Sequence, residues 1–204
     1  MDVFTADPIL TEKLIAERRA TGADRYDEVW EGIYVMAPMA NDEHQKLVTE
    51  IASVLYFSIT RLGQGEVRAG VNVTDREDDW TQNLRCSDVA VFLDGAQAEN
   101  RDTHWFGGPD FAVEIISPHD KSREKLDFYA KVGTRELLLV DRDPWALELY
   151  RLEHGKLNLV GRSTTGDPNA LASQVVPFTW RLVAGSQRPQ IHAAHSDGKQ
   201  QWTI

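Results

Sequence analysis

Two periods of apolar residues alternate along the chain, and the switches between them predict its elements. Ile9, Leu10, Leu14 and Ile15 recur at helical spacing, with Asp7 placed to cap and Pro8 suited to a first turn, which predicts a helix over about 7–19. Residues 25–36 fit two short strands turning near Glu31 and Gly32, with Pro38 stopping the second. Leu47, Ile51, Val54, Leu55, Ile59 and Leu62 then return to the helical period behind Asn41, a good N-cap, so a long helix is expected from Asp42 to Leu62. From Glu66 to Val73 the period falls to two, the mark of a half-exposed strand. A short apolar strand over 88–93 has an acid, Asp88, at its entrance. Phe111 to Ile116 is a second apolar strand with Glu114 inside it, and a helix closed by Gly133 is expected over about 120–132. Glu136 to Asp141 reads as a strand buried on both faces, and residues 146–152 and 157–160 as a hairpin around 153–156.

Strand, helix and apolar strand in that order predict a right-handed parallel crossover, which the hairpin extends into a larger sheet. The fold class is therefore α/β, a mixed central β-sheet flanked by helices. A chain of 204 residues suits a single domain, 1–204, with its core over about 25–185 and a polar C-terminal tail from about Ser186 that is expected to be poorly ordered.

Charge and cysteine content narrow the function. The net charge of −10, from 22 Lys+Arg against 32 Asp+Glu, argues against non-specific attraction to a phosphate backbone, so nucleic acid as a substrate requires basic residues gathered locally. Residues 119–135 are such a segment, with Lys121, Arg123, Lys125, Lys131 and Arg135 against three acids. Cys86 is the single cysteine and reads as a small packed side chain; no Cys/His spacing suggests zinc. No apolar run approaches the roughly 18 residues that span a bilayer, and the N-terminus opens no signal-peptide pattern, so no membrane association and a cytoplasmic location are expected.

The chemistry centres on Glu114. A carboxylate in an apolar strand costs several kcal/mol unless a cation, a metal or a raised pKa compensates it. Glu114 shares a face with Ala112 and Ile116 near the carboxyl end of its strand, where open α/β sheets tend to hold ligands. If the Asp88 strand is its neighbour, the two carboxylates converge on one hard cation, Mg²⁺ or Mn²⁺. Lys121 and Lys125, one helical turn apart, with Tyr129 a turn further, offer an ammonium to orient and activate a water, and His44 a further ligand or base. The plainer reading pairs Glu114 with Arg135 as a structural ion pair. Glu28 and Glu31 read as solvated turn acids, and Trp30, Trp105, Trp145 and Trp180 as packing.

The order of motifs resembles the Uma-two family of restriction endonucleases, a branch of the PD-(D/E)XK nuclease superfamily. The matching residues are Arg25, Tyr26 and Gly32, Val35 to Pro38, His44, Ser87 to Val89, Val113 to Pro118, Lys125, Tyr129, Gly133 and Leu138 to Asp141. The resemblance implies a restriction-endonuclease-like core, with Asp88, Glu114 and the main-chain carbonyl of Ile115 as ligands of Mg²⁺ or Mn²⁺. It also implies DNA rather than RNA as substrate, and pairing into a homodimer. The parent pattern carries a lysine two residues after the second acid. Here Ile116 holds that position, and Lys125 is the replacement the resemblance offers. Ser87 likewise stands where a proline would precede the first acid. Two readings follow: a Mg²⁺-dependent endonuclease in which Asp88, Glu114, Lys125 and His44 are catalytic, or a catalytically degenerate nuclease fold that binds nucleic acid or protein.

Overall fold

The computed structural model describes residues 8–37, 39–117 and 121–204. Asp7, Pro38 and Pro118, each given a role above, and residue 120, where the helix after Glu114 was expected to start, lie outside them. Among the described residues the helices are α1 (Pro8–Thr21), α2 (Asp42–Ser58) and α3 (Leu126–Lys131). The strands are β1 (Glu28–Trp30), β2 (Ile33–Val35), β3 (Gly65–Thr74), β4 (Leu84–Leu93), β5 (Glu99–Asn100), β6 (Trp105–Phe106), β7 (Phe111–Ile115), β8 (Glu136–Arg142), β9 (Trp145–Glu153), β10 (Lys156–Ser163), β11 (Leu171–Ala172), β12 (Phe178–Val183), β13 (Gln190–His195) and β14 (Gln201–Thr203).

One mixed sheet runs in the order β10-β9-β8-β7-β4-β3-β6-β5, with the β1–β2 hairpin attached to β4. The β7–α3–β8 unit is parallel as expected, with Glu114 opposite Leu139, and β9 and β10 continue the sheet as the predicted hairpin. On one face Leu47, Ile51 and Leu55 of α2 pack against Val89, Val91, Val113, Ile115 and Leu138. On the other, Phe128 and Tyr129 of α3 pack against Val73, Ala112, Leu137 and Leu139. Alternation along β7 therefore sends Phe111, Val113 and Ile115 toward α2, and Ala112 and Glu114 toward α3.

Four expectations change. The helix predicted to Leu62 ends at Ser58, followed by a single 3₁₀ turn over Thr60–Leu62 that Gly63 closes at φ 67°. There the Thr60 hydroxyl accepts from the Val67 N–H, an alternative to continued helix that apolar spacing does not report. The helix after Glu114 is shorter, a 3₁₀ turn over Ser122–Lys125 leading into α3, although Gly133 does stand in the left-handed conformation at its end. Asp88 lies in the middle of β4 and not at its entrance, because antiparallel pairing with β3 extends back to Leu84 opposite Thr74. Arg85 hid that extension: it is a buried cation whose guanidinium lies 4.4 Å from the ring centroids of both Trp30 and Phe128. Finally, the segment read as a polar tail forms β13 and β14 of a second sheet, β11-β12-β13-β14. Ile191, Ala193 and Ile204 are buried with Phe178 and Trp180 in the same core as α2. Alternation with polar neighbours concealed these apolar residues.

Candidate active site

The β4–β7 ladder stops at the pair Val89–Val113, and the site opens where these strands part. One residue further along, the Asp88 carboxylate replaces a backbone acceptor: its Oδ2 takes the Ile115 N–H at 2.7 Å. A second side chain does the same further back along the same edge of β4, where Glu28 Oε1 takes the Cys86 N–H at 2.9 Å. Both are charge-assisted bonds to donors that would otherwise be buried without partners. Diverging strands and the acids that cap their loose ends thus arise together.

Glu114 is 2% exposed and meets α3 directly. Its Oε2 accepts from Lys125 Nζ at 2.9 Å and its Oε1 from the Tyr129 hydroxyl. The Lys125 ammonium also lies 2.8 Å from Glu28 Oε1, so it bridges two buried carboxyl groups. Glu28 is held in turn by the indole N–H of Trp30, which donates to Oε2 at 2.6 Å. Burial pushes the Glu114 carboxyl up to about 8; the Lys125 charge opposes that rise, and the Asp88 and Glu28 charges add to it. Tyr129 is raised well above the usual phenol range, by burial first and then by the Glu114 charge. Cys86 is also raised by burial, which leaves it an inert packed thiol.

His44, in the first turn of α2, reaches the same place from the opposite wall. Its Nε2 lies 3.1 Å from Asp88 Oδ1, and its Nδ1 lies 3.4 Å from Ser117 Oγ. The Asn41 cap sets the start of that helix by accepting the His44 N–H at 2.9 Å. Arg142 of β8 fastens the surround, donating to Ile116 O, Ser117 Oγ and Asn41 Oδ1. Glu28, His44, Asp88, Glu114, Ser117 and Lys125 line one cleft of about 690 Å³, which also takes in Lys121 and Trp30 and runs along α2.

Asp88, Glu114, Lys125 and His44, the four residues proposed from sequence, are brought together here. Glu31 is not: it belongs to a surface network with Arg76, Asn83 and Lys131. The alternative ion pair of Glu114 with Arg135 is absent, since Arg135 pairs with Asp110. Glu28 was read as a solvated turn acid and is instead 5% exposed at the centre of the cluster, and Trp30 orients it. A strand of three residues is too short for its period to announce that burial.

Among the described residues no three His, Cys, Asp or Glu side chains form a metal-binding cluster. The donors implied above, two carboxylates and one main-chain carbonyl, nonetheless suit a hard divalent cation. The Lys125 ammonium bridges Glu114 and Glu28, and the Asp88 and Glu28 charges add to the rise that burial imposes on the Glu114 carboxyl, a rise that a cation bound there would oppose.

Comparisons with known proteins bear on the fold and the family. The fold matches a crystal structure described as a "putative nuclease belonging to DUF820" from Anabaena variabilis, with a TM-score of 0.56 and 20% identity over 72% of this chain and 80% of that one. This likeness identifies the fold as restriction-endonuclease-like. No helix among the described residues is long and apolar enough to cross a membrane. No protein of curated function matches the chain. A family model described as "Putative restriction endonuclease" matches residues 16–184, and the chain belongs to that family, Uma2.

Proposed function

We propose that the protein is a divalent-metal-dependent endonuclease that hydrolyses phosphodiester bonds in DNA. The observation that carries this reading is the bridge of Lys125 between Glu114 and Glu28, beside the Asp88–His44 pair, in one open cleft. Asp88, Glu114 and the Ile115 carbonyl would hold Mg²⁺ or Mn²⁺. Bound there, the cation supplies charge for the scissile phosphate and acidifies a water. Lys125 is positioned by two carboxyl groups to orient the attacking water and to stabilise negative charge as it develops on phosphorus. Tyr129 fixes the other oxygen of Glu114, so that the carboxylate faces the cleft in one orientation. His44 holds Asp88 and offers an imidazole beside it to relay a proton.

Cleavage of plasmid and single-stranded substrates with Mg²⁺ or Mn²⁺ tests the reading. Activity is expected to vanish in Glu114→Ala and Lys125→Ala, and activity unchanged by Glu114→Ala removes this mechanism.

One observation favours a second reading, a non-catalytic nuclease fold that binds nucleic acid or protein. Both oxygens of Glu114 already have protein partners, as in a carboxylate that serves structure alone. Titration with Mn²⁺ separates the two: no saturable binding at millimolar metal by a folded protein leaves the second reading standing.

A further inference from the structure

Among the described residues, the exposed aromatic side chains are Tyr26, Tyr56 and Phe57, and all three line the cleft that holds Asp88 and Glu114. Tyr56 and Phe57 are consecutive residues in the last turn of α2 and form an edge-to-face pair with ring centroids 6.0 Å apart. Phe57 is 64% exposed. Scattered apolar side chains on a surface need no explanation, but aromatic rings gathered on one cleft do. Tyr26 is set into the cleft wall by Gly70: at φ +61° this residue has no side chain, and a Cβ there would stand 2.7 Å from Tyr26 Cε1. Val48, Ala52 and Val67 line the space beside these rings. Positive charge borders the same cleft through Arg25, whose guanidinium is 5.4 Å from the Tyr26 ring centroid, and through Lys121.

We infer that this half of the cleft is a subsite for an unpaired base, so that the substrate is single-stranded or locally unpaired nucleic acid. Its base stacks on the Tyr56–Phe57 rings while its phosphate lies toward Arg25 and the Lys125–Glu114 end. The inference rests on the nuclease reading above. Bases inside a duplex have both faces covered by their neighbours, and only an unpaired base can offer a face to a side-chain ring. The net charge of −10 opposes wrapping a long duplex backbone, whereas a few phosphates met by cations inside a cleft need no basic surface. Continuity with the acid–lysine cluster in one cavity favours nucleic acid over the rival occupant, a second copy of this chain.

The test uses the full chain carrying Glu114→Gln, with Ca²⁺ present, and follows the anisotropy of a labelled oligonucleotide offered as a single strand and as the duplex of the same sequence. The single strand is expected to bind more tightly. Adding Phe57→Leu, which keeps apolar bulk but removes the ring face, is expected to weaken single-strand binding roughly five- to a hundred-fold, while Phe57→Trp retains it. Equal affinity for the two forms, no binding of either, or no effect of Phe57→Leu overturns the inference. So does a sedimentation profile showing a dimer that Phe57→Leu dissociates, since that outcome gives the rings to a second copy. Failure of the nuclease reading looks different: the unsubstituted chain does not cleave with Mg²⁺ or Mn²⁺, yet the single-strand preference and its dependence on Phe57 persist.

Discussion

Replacing Lys125 by methionine keeps most of the side-chain volume and deletes one charge, and its cost follows from the partners left behind. The ammonium sits 2.9 Å from Glu114 and 2.8 Å from Glu28, and these two carboxyl groups are 2% and 7% exposed. Removing one partner of a buried ion pair costs about 3–5 kcal/mol, because the other charge stays buried without compensation. For a chain of this size each kcal/mol moves Tm by roughly 2–4 °C, so Lys125→Met is expected to melt about 6–20 °C lower in EDTA at pH 8. The pH dependence gives the sharper check. Glu114 already binds its proton more tightly folded than unfolded, so the stability tied to its protonated form is complete below about 4.5 and is lost as pH rises toward about 8. Without the lysine its affinity for the proton rises further, so the variant's deficit widens as pH rises through about 8, where the unsubstituted chain ionises the acid beside its lysine and the variant keeps it protonated. Adding Glu114→Gln to Lys125→Met is expected to recover stability at pH 8, a non-additive result. Thermal unfolding followed by circular dichroism at pH 5 and pH 8 measures all three variants. A loss under about 1 kcal/mol at pH 8, or one that narrows between pH 5 and pH 8, refutes the bridging role assigned to Lys125.

Other consequences of the same geometry are open to direct measurement. Tyr129→Phe removes a buried donor from Glu114 and is expected to cost about 1–3 kcal/mol in chemical denaturation. Because that donor favours the ionised carboxylate, the variant's metal-dependent cleavage should also need a higher pH; an unchanged pH–rate profile argues against it. Since a liganding carboxylate must lose its proton, the affinity for Mn²⁺ is expected to rise between pH 6 and pH 8, with proton release visible by calorimetry in two buffers of different ionisation enthalpy. No pH dependence would separate Glu114 from the metal. Saturating Mn²⁺ should raise Tm in the unsubstituted chain and not in Asp88→Asn, and an equal rise in both places the metal elsewhere.

Much of this arrangement was legible in the sequence because it rests on residues whose types conflict with their surroundings. Glu114 within Phe111-Ala112-Val113 and Ile115-Ile116 could not be read as an ordinary buried residue, and the lysine a few residues on matched its need. The parallel β7–α3–β8 unit followed from apolar runs separated by a Gly-terminated helix. What stayed hidden had cancelling signals. Glu28 lies in a strand of three residues, where no period can form, and its burial depends on Trp30 and Lys125, one beside it and the other 97 positions away. Arg85 gave no sign of its burial, because its guanidinium is met by the faces of Trp30 and Phe128, which lie far from it in sequence. In β13 and β14, inward Ile191 and Ala193 alternate with histidine and glutamine, and so few apolar residues fell below the level that distinguishes a strand from a polar tail.

The position of Ile116 explains why the lysine arrives from a helix. In the parent pattern the residue two beyond the second acid shares its face and brings the ammonium along the same strand. Here β7 ends at Ile115, and Ile116 packs beside Phe128 and Tyr129 of α3. An apolar side chain at that position gives α3 a surface to dock on, and in docking α3 delivers Tyr129, and the 3₁₀ turn that leads into it Lys125, to Glu114. A strand-borne lysine is fixed by a backbone ladder. A helix-borne one is fixed only as firmly as the apolar contact that seats the helix, and α3 is six residues long. Ion pair and packing are therefore one unit: Lys125 and Tyr129 give Glu114 the partners its burial demands, while Phe128, Tyr129 and Ile116 hold those partners at bonding distance. On the resemblance stated above, the ammonium moves to a new backbone and stays on the same carboxylate.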